Sequence, residues 1–140
     1  MPGRLKKHPV AVTCYTCFSL TTFQEGNAAM ADIQRINDIP ALEALIARSN
    51  ETPVWILKHS LTCPISSQAW SEFQRFAGDS PDEGAVFALI EIQRARPVST
   101  ALAERTGIRH ESPQALLLRS GQAVWHASHY GIDRASLRQV

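Results

Sequence analysis

A cysteine followed directly by a proline lies in the middle of the chain, in the stretch HSLTCPISSQAW at residues 59–70. Cys63 precedes Pro64, and Ser66 stands where a Cys-x-x-Cys site would carry its second cysteine. A thiolate that attacks a disulfide keeps one half of it as a mixed disulfide, which a second internal thiol can release. Because Ser66 cannot act in this way, the spacing predicts a monothiol exchange centre at Cys63 that needs an external thiol for turnover.

The elements on either side of Cys63 predict how its thiol is activated. The apolar stretch TPVWILKHS at residues 52–60 predicts a buried strand that ends just before Cys63. From Pro64 onward the apolar residues share one helical face: Ile65, Ala69, Phe73 and Phe76. Cys63 would then lie at a helix N-terminus, where unpaired N–H groups and the helix dipole favour a thiolate. A cysteine that is only a small buried hydrophobic residue is the alternative, but it does not explain the position directly before Pro64.

The remaining patterns predict an α/β chain. A helix at residues 36–50 is capped by Asp38, a second buried strand covers residues 84–92, and a helix at 96–107 ends at Gly107. Strands at residues 114–119 and 122–128 form a hairpin, and Asp133 caps a last short helix. A βαβ unit followed by a ββα unit is the order of thioredoxin-like folds. We therefore expect a central mixed four-stranded sheet flanked by helices.

Four further residues are candidates for supporting the chemistry. Lys58 and His59 close the predicted strand; either cation could stabilise a thiolate at Cys63, and His59 could instead hydrogen-bond the turn. Ser112 and Pro113 precede the hairpin, where thioredoxin-like proteins carry a cis peptide bond beside the active cysteine. A cis bond would leave the Ser112 backbone free to pair with a bound thiol or peptide. An ordinary trans proline at the start of a strand is the alternative.

Composition excludes several classes of protein. The chain has 140 residues, of which 44% are hydrophobic and 19% charged, as in a single globular domain. A formal net charge of +1 gives no electrostatic reason to expect a nucleic acid partner. No apolar run approaches the roughly 20 residues that span a bilayer, so no membrane partner is expected. Three cysteines, an odd number, argue against a secreted disulfide framework.

The first 29 residues form a separate segment with no clean period of 2 or 3.6. Three interpretations fit them: a disordered extension, a stretch that is not translated because Met30 is the true start codon, or a poor export signal. Each interpretation leaves residues 30–140 as the folded domain. Cys14 and Cys17 form a Cys-x-x-Cys pair, but no strand or helix cap surrounds it and zinc would need two more ligands. We interpret both cysteines as incidental, and no metal site is expected.

Four stretches of the sequence, taken in order, resemble one known family. They are KHSLTCPIS at 58–66, RPVS at 96–99, HESPQ at 110–114 and VWHASH at 124–129. They are similar to the YtxJ family of monothiol bacilliredoxins, thioredoxin-like proteins that are sometimes called general stress proteins. The resemblance covers about residues 32–140, and it places the family's active cysteine on Cys63, its serine on Ser66 and its proline on Pro113. The extension through Ala29, with its two extra cysteines, is a departure from the family.

The resemblance implies a cytoplasmic thiol–disulfide oxidoreductase without a bound cofactor and with bacillithiol as co-substrate. Cys63 would attack the mixed disulfide between bacillithiol and an oxidised client protein. The client would leave as a free thiol, and a second bacillithiol or a partner reductase would regenerate Cys63.

Two other functions remain open at the level of sequence. The same mechanism could use a different thiol such as glutathione, since recognition of the sugar and malate groups of bacillithiol is not visible in the sequence. Arg94, Arg96 and Arg109 could meet a carboxylate of the thiol, but surface arginines usually only solvate a face. Alternatively, the fold could serve as a non-catalytic binding module, or two chains could share an iron–sulfur cluster through Cys63 and external thiols.

Overall fold

A computed structural model of the chain describes residues 31–79 and 82–140. The segment 1–29, with Cys14 and Cys17, lies outside the described residues, so the predicted domain boundary at residue 30 stays a prediction. In chain order the elements are β1 (Ile33–Arg35), α1 (Ile39–Arg48), β2 (Val54–His59), α2 (Pro64–Gly78), β3 (Val86–Glu91), α3 (Arg96–Thr106), β4 (Gln114–Arg119), β5 (Gln122–Ser128), a 3₁₀ turn (His129–Gly131) and α4 (Arg134–Arg138).

The strands form one mixed sheet with the order β1-β3-β2-β4-β5. β2 is parallel to β3 and antiparallel to β4, and β1 adds a short parallel strand outside β3. The predicted α/β architecture is confirmed, but the described sheet has five strands rather than four. β1 has only three residues, too few for the alternation of apolar and polar side chains that marks a strand in sequence.

The middle of the sheet is apolar on both faces because helices cover both. All six residues of β2 are buried. Successive residues point to opposite faces, so Ile56 packs on the side of α1 and α3 whereas Leu57 packs on the side of α2 and α4. Burial of each such side chain contributes about 1.5–3 kcal/mol to folding. A strand buried on both faces needs a continuous apolar run, which is why the sequence showed β2 and β3 clearly.

The ends of the helices follow from specific residues, as the sequence predicted. The Asp38 carboxylate accepts a hydrogen bond from the Ala41 N–H at 2.8 Å and caps α1. α3 ends at Gly107, whose φ of 69° is a left-handed conformation that glycine adopts without strain. Asp133 and Ser136 form a reciprocal capping box at the start of α4. None of the helices within residues 31–79 and 82–140 is both long and apolar enough to span a membrane.

Candidate active site

Cys63 occupies the N-cap position of α2, four residues after the end of β2. Pro64 is the first helical residue, where its missing N–H leaves no hydrogen bond unmade. Cys63 is a free, partly exposed thiol, and it is the only cysteine among residues 31–79 and 82–140. The predicted strand-to-helix position of Cys63 is confirmed, with its sulfur at the surface end of the helix.

The first turn of α2 favours the charged form of the Cys63 thiol. The backbone N–H groups of Ser66 and then Ile65 stabilise a thiolate on Cys63, and the Ser66 hydroxyl makes a weaker contribution, although Cys63 accepts no capping hydrogen bond from the described residues in this structure. Together they hold the pKa of Cys63 below its ordinary value, although burial acts in the opposite direction. This is the direction expected for a thiol at a helix N-terminus. A larger share of the cysteine is therefore a nucleophilic thiolate near neutral pH.

Ser66 is fully buried and joins three parts of the site. Its Oγ accepts a hydrogen bond from the Ser60 N–H at 3.3 Å, and its carbonyl oxygen accepts one from His59 Nδ1 at 3.1 Å. Its N–H and hydroxyl also stabilise a thiolate on Cys63, as described above. Ser66 therefore connects the end of β2 and the following turn to the first turn of α2. The sequence predicted the missing second thiol but not this structural role.

His59 acts on the turn rather than on the sulfur. Its ring is buried, and its Nδ1 must carry a proton in order to donate to the Ser66 carbonyl. Burial lowers the pKa of His59, although the Ser66 carbonyl and the carboxylate of Glu91 act in the opposite direction. A neutral imidazole with its proton on Nδ1 fits these contacts at pH 7. Of the two alternatives for His59, the geometry matches the hydrogen bond to the turn.

Lys58 points to the opposite face of the sheet from His59, because adjacent strand residues alternate. Its side chain is fully buried, and the contact that the structure describes for Nζ is His110 Nδ1 at 3.4 Å. The same His110 nitrogen lies 3.1 Å from the Ser99 hydroxyl. Burial lowers the pKa of Lys58 to about 8. Lys58 therefore supports the loop that carries His110, and its described contacts do not include Cys63.

The peptide bond between Ser112 and Pro113 is cis, as expected. Pro113 is buried, and its carbonyl accepts a hydrogen bond from the His129 N–H at 3.0 Å. Within the described residues, the Ser112 N–H and C=O have no backbone partner, and the buried Ser112 hydroxyl has no hydrogen-bond partner. These free backbone groups leave Ser112 able to pair with a bound peptide or thiol, and that role stays a prediction.

Two residues that sequence reasoning missed follow β3. Glu91 is buried at the end of β3, beside His59 in the strand register, and Arg94 Nη1 pairs with its carboxylate at 2.9 Å. Gln93 hydrogen-bonds to the turn before Cys63. The signal that could have indicated them is their position, because polar residues just after a buried parallel strand lie at the edge where sites form. In the described part of the chain, no group of three or more His, Cys, Asp or Glu side chains could hold a metal ion.

The fold and this site define a thiol oxidoreductase of the thioredoxin-like class. A protein with a thioredoxin fold that is regarded as an oxidoreductase is 33% identical to this chain; the match covers 76% of this chain and 91% of that one, with a TM-score of 0.68. Thioredoxins from Malassezia sympodialis and Trypanosoma brucei brucei each give a TM-score of 0.64. They are 14% and 13% identical to this chain, respectively. The two matches cover 78% and 81% of this chain and 87% and 91% of the thioredoxins, and they show the fold alone. The chain belongs to the monothiol bacilliredoxin BrxC family, whose model matches residues 34–137.

The role of Ser66 generates a prediction for the Ser66→Ala variant. Its free energy of unfolding should fall by about 1–2 kcal/mol, because the Ser60 N–H loses its acceptor. The pKa of Cys63 should rise, because the hydroxyl no longer interacts with the sulfur. Urea unfolding and the pH dependence of iodoacetamide alkylation measure the two effects. Ser67→Ala is the matched control, since Ser67 is the next residue and is exposed; equal effects in both variants would contradict the assignment.

Lys58 generates a prediction about stability and pH. The pKa of Lys58 is about 8 in the folded protein against an ordinary value of 10.5, so burial of the ammonium penalises the folded state fully below pH 8 and less as the pH rises toward 10.5. Lys58→Met should therefore be more stable than the wild type at pH 7, by about 1–3 kcal/mol. The difference should shrink between pH 8 and pH 10.

Urea unfolding at pH 7 and pH 9.5 measures the effect of Lys58→Met. Arg48→Met removes an exposed cation and is the control, with little change expected at either pH. A Lys58→Met protein that is less stable than the wild type at pH 7 would show that the contact with His110 outweighs the burial of charge.

Proposed function

We propose that this protein is a cytoplasmic monothiol bacilliredoxin that removes bacillithiol from mixed disulfides on oxidised client proteins. The observation that carries the proposal is the site at Cys63. A cysteine activated by the N–H groups of Ser66 and Ile65 stands at the helix N-terminus, and a buried serine occupies the position of a resolving thiol. Membership of the BrxC family supports bacillithiol as the thiol that is transferred.

The reaction is two thiol–disulfide exchanges. The Cys63 thiolate attacks the bacillithiol sulfur of the mixed disulfide, a bond forms between these two sulfurs, and the client sulfur leaves as a thiolate that takes a proton from water. Bacillithiol is now held on Cys63 as a mixed disulfide. The thiolate of a second bacillithiol, or of a partner reductase, attacks this adduct and frees Cys63. Each exchange forms one disulfide bond and breaks another, and no bound cofactor is needed.

The remaining predicted site residues have distinct roles in this proposal. Pro64 and His59 hold the turn in which Cys63 lies, and the N–H and hydroxyl of Ser66 stabilise the thiolate. The free backbone groups of Ser112, before the cis Pro113, would align the disulfide-bearing segment of the client. Lys58 supports this loop from the other face of the sheet through His110.

The adduct on Cys63 gives the direct test of the proposal. Protein exposed to a bacillithiolated client should gain the mass of one bacillithiol while the client recovers its free thiol, and peptide mapping should place the added mass on Cys63. Cys63→Ser should abolish both changes. Cys14→Ser with Cys17→Ser should leave both unchanged. Adduct formation that is faster with a glutathionylated client than with a bacillithiolated one would contradict the assignment of the thiol.

The serine at position 66 allows a second test of the monothiol mechanism. In Ser66→Cys, the introduced thiolate three residues after Cys63 could attack the adduct, so the bacillithiol should be released without added thiol and an internal disulfide should form between Cys63 and the introduced thiol. In the wild type the adduct should persist until an external thiol is added. Intact mass against time measures both lifetimes, with Ser67→Cys as a control at an exposed position. A wild-type adduct that disappears without added thiol would contradict a monothiol mechanism.

A further inference from the structure

The side chain of Gln93 spans the whole turn that separates β2 from Cys63. Its Oε1 accepts a hydrogen bond from the Leu61 N–H at 3.1 Å. Its Nε2 donates to the Ser60 Oγ at 2.9 Å and to the Thr62 Oγ1 at 3.4 Å. One amide group therefore contacts all three residues between the end of β2 and Cys63, although it lies more than 30 residues away along the chain.

The backbone on both sides of Gln93 is well anchored. The Ile92 N–H donates to the His59 carbonyl at 3.0 Å, which ties this segment to the end of β2. The Arg94 N–H donates to the Glu91 carbonyl at 3.0 Å, and Ile92 itself is buried. The Gln93 side chain thus extends from a fixed base, so its amide can restrain a turn that is otherwise exposed at Leu61 and Thr62.

Few other hydrogen bonds hold this turn in the described part of the chain. The Ser60 N–H donates to the Ser66 Oγ at 3.3 Å, and the Ser60 and Thr62 hydroxyls lie 3.4 Å apart. Both of these contacts involve the ends of the turn, whereas the Leu61 N–H is bound by Gln93. Removal of the Gln93 amide would therefore leave the middle of the turn unrestrained.

We propose that Gln93 is a positioning residue for Cys63: it fixes residues 60–62 so that Cys63 stays at the N-cap of α2. This inference rests on the proposed role of Cys63 as the nucleophile. A turn that moves freely would let the sulfur leave the donors of Ser66 and Ile65 for part of the time. The thiolate would then be less stabilised and less abundant at neutral pH.

The test compares Gln93→Met, which keeps the length of the side chain but not its amide, with the wild type. The pKa of Cys63, read from the pH profile of iodoacetamide alkylation, should rise toward its ordinary value, and the rate at pH 7 should fall on the order of threefold to tenfold. Amide hydrogen exchange at Leu61 should become faster. Gln122→Met is the control, because Gln122 is exposed at the opposite end of the sheet, and it should change neither readout.

A coupling measurement separates positioning from a general loss of structure. Ser60→Ala removes the partner of the Gln93 Nε2 from the other side, so Gln93→Met should raise the pKa of Cys63 by less in the Ser60→Ala background than in the wild type. Faster exchange at Leu61 with an unchanged alkylation profile would overturn the proposal, since the turn would then move without affecting Cys63.

These readouts need no bacillithiol, so they are independent of the identity of the thiol. A wild-type Cys63 with an ordinary pKa would contradict the proposed function. A lowered wild-type pKa that Gln93→Met leaves in place would contradict only the role of Gln93.

Discussion

The hydrogen bonds of Ser66 are the constraint on which the site depends. Its Oγ accepts a hydrogen bond from the Ser60 N–H, its carbonyl accepts one from His59 Nδ1, and its N–H and hydroxyl lower the pKa of Cys63. Because Ser66 is fully buried, each of these groups would be costly to leave unpaired. The same residue therefore stabilises the thiolate and links the end of β2 and the following turn to the first turn of α2.

The end of β2 supports both the turn that carries Cys63 and the loop that leads to Pro113. His59 faces α2 and holds the turn of Cys63, whereas Lys58 faces the opposite side of the sheet and contacts His110 in the loop that leads to the cis Pro113. The alternation of strand residues makes this division possible. The turn that carries Cys63 and the loop that leads to Pro113 are thus contacted by neighbouring residues of a single buried strand.

The features that could be predicted from the sequence are those with a local or periodic cause. Continuous apolar runs indicated β2 and β3, and Pro64 directly after Cys63 indicated the strand-to-helix turn. The partners of Gln93 could not be found in this way, because they lie 31–33 residues away and are brought close only by the pairing of β2 with β3. The burial of the Lys58 side chain could not be predicted from the sequence either, since a lysine at a strand end usually extends into solvent.

The serine in place of a second cysteine has a structural reason as well as a chemical one. A thiol is a weak hydrogen-bond acceptor, so a cysteine at position 66 would hold the Ser60 N–H less well than the hydroxyl does. The absence of a second thiol at position 66 and the anchoring of the turn therefore come from the same side chain. Cys63 is partly exposed between the exposed residues Thr62 and Pro64, so the site is open to molecules from the solvent.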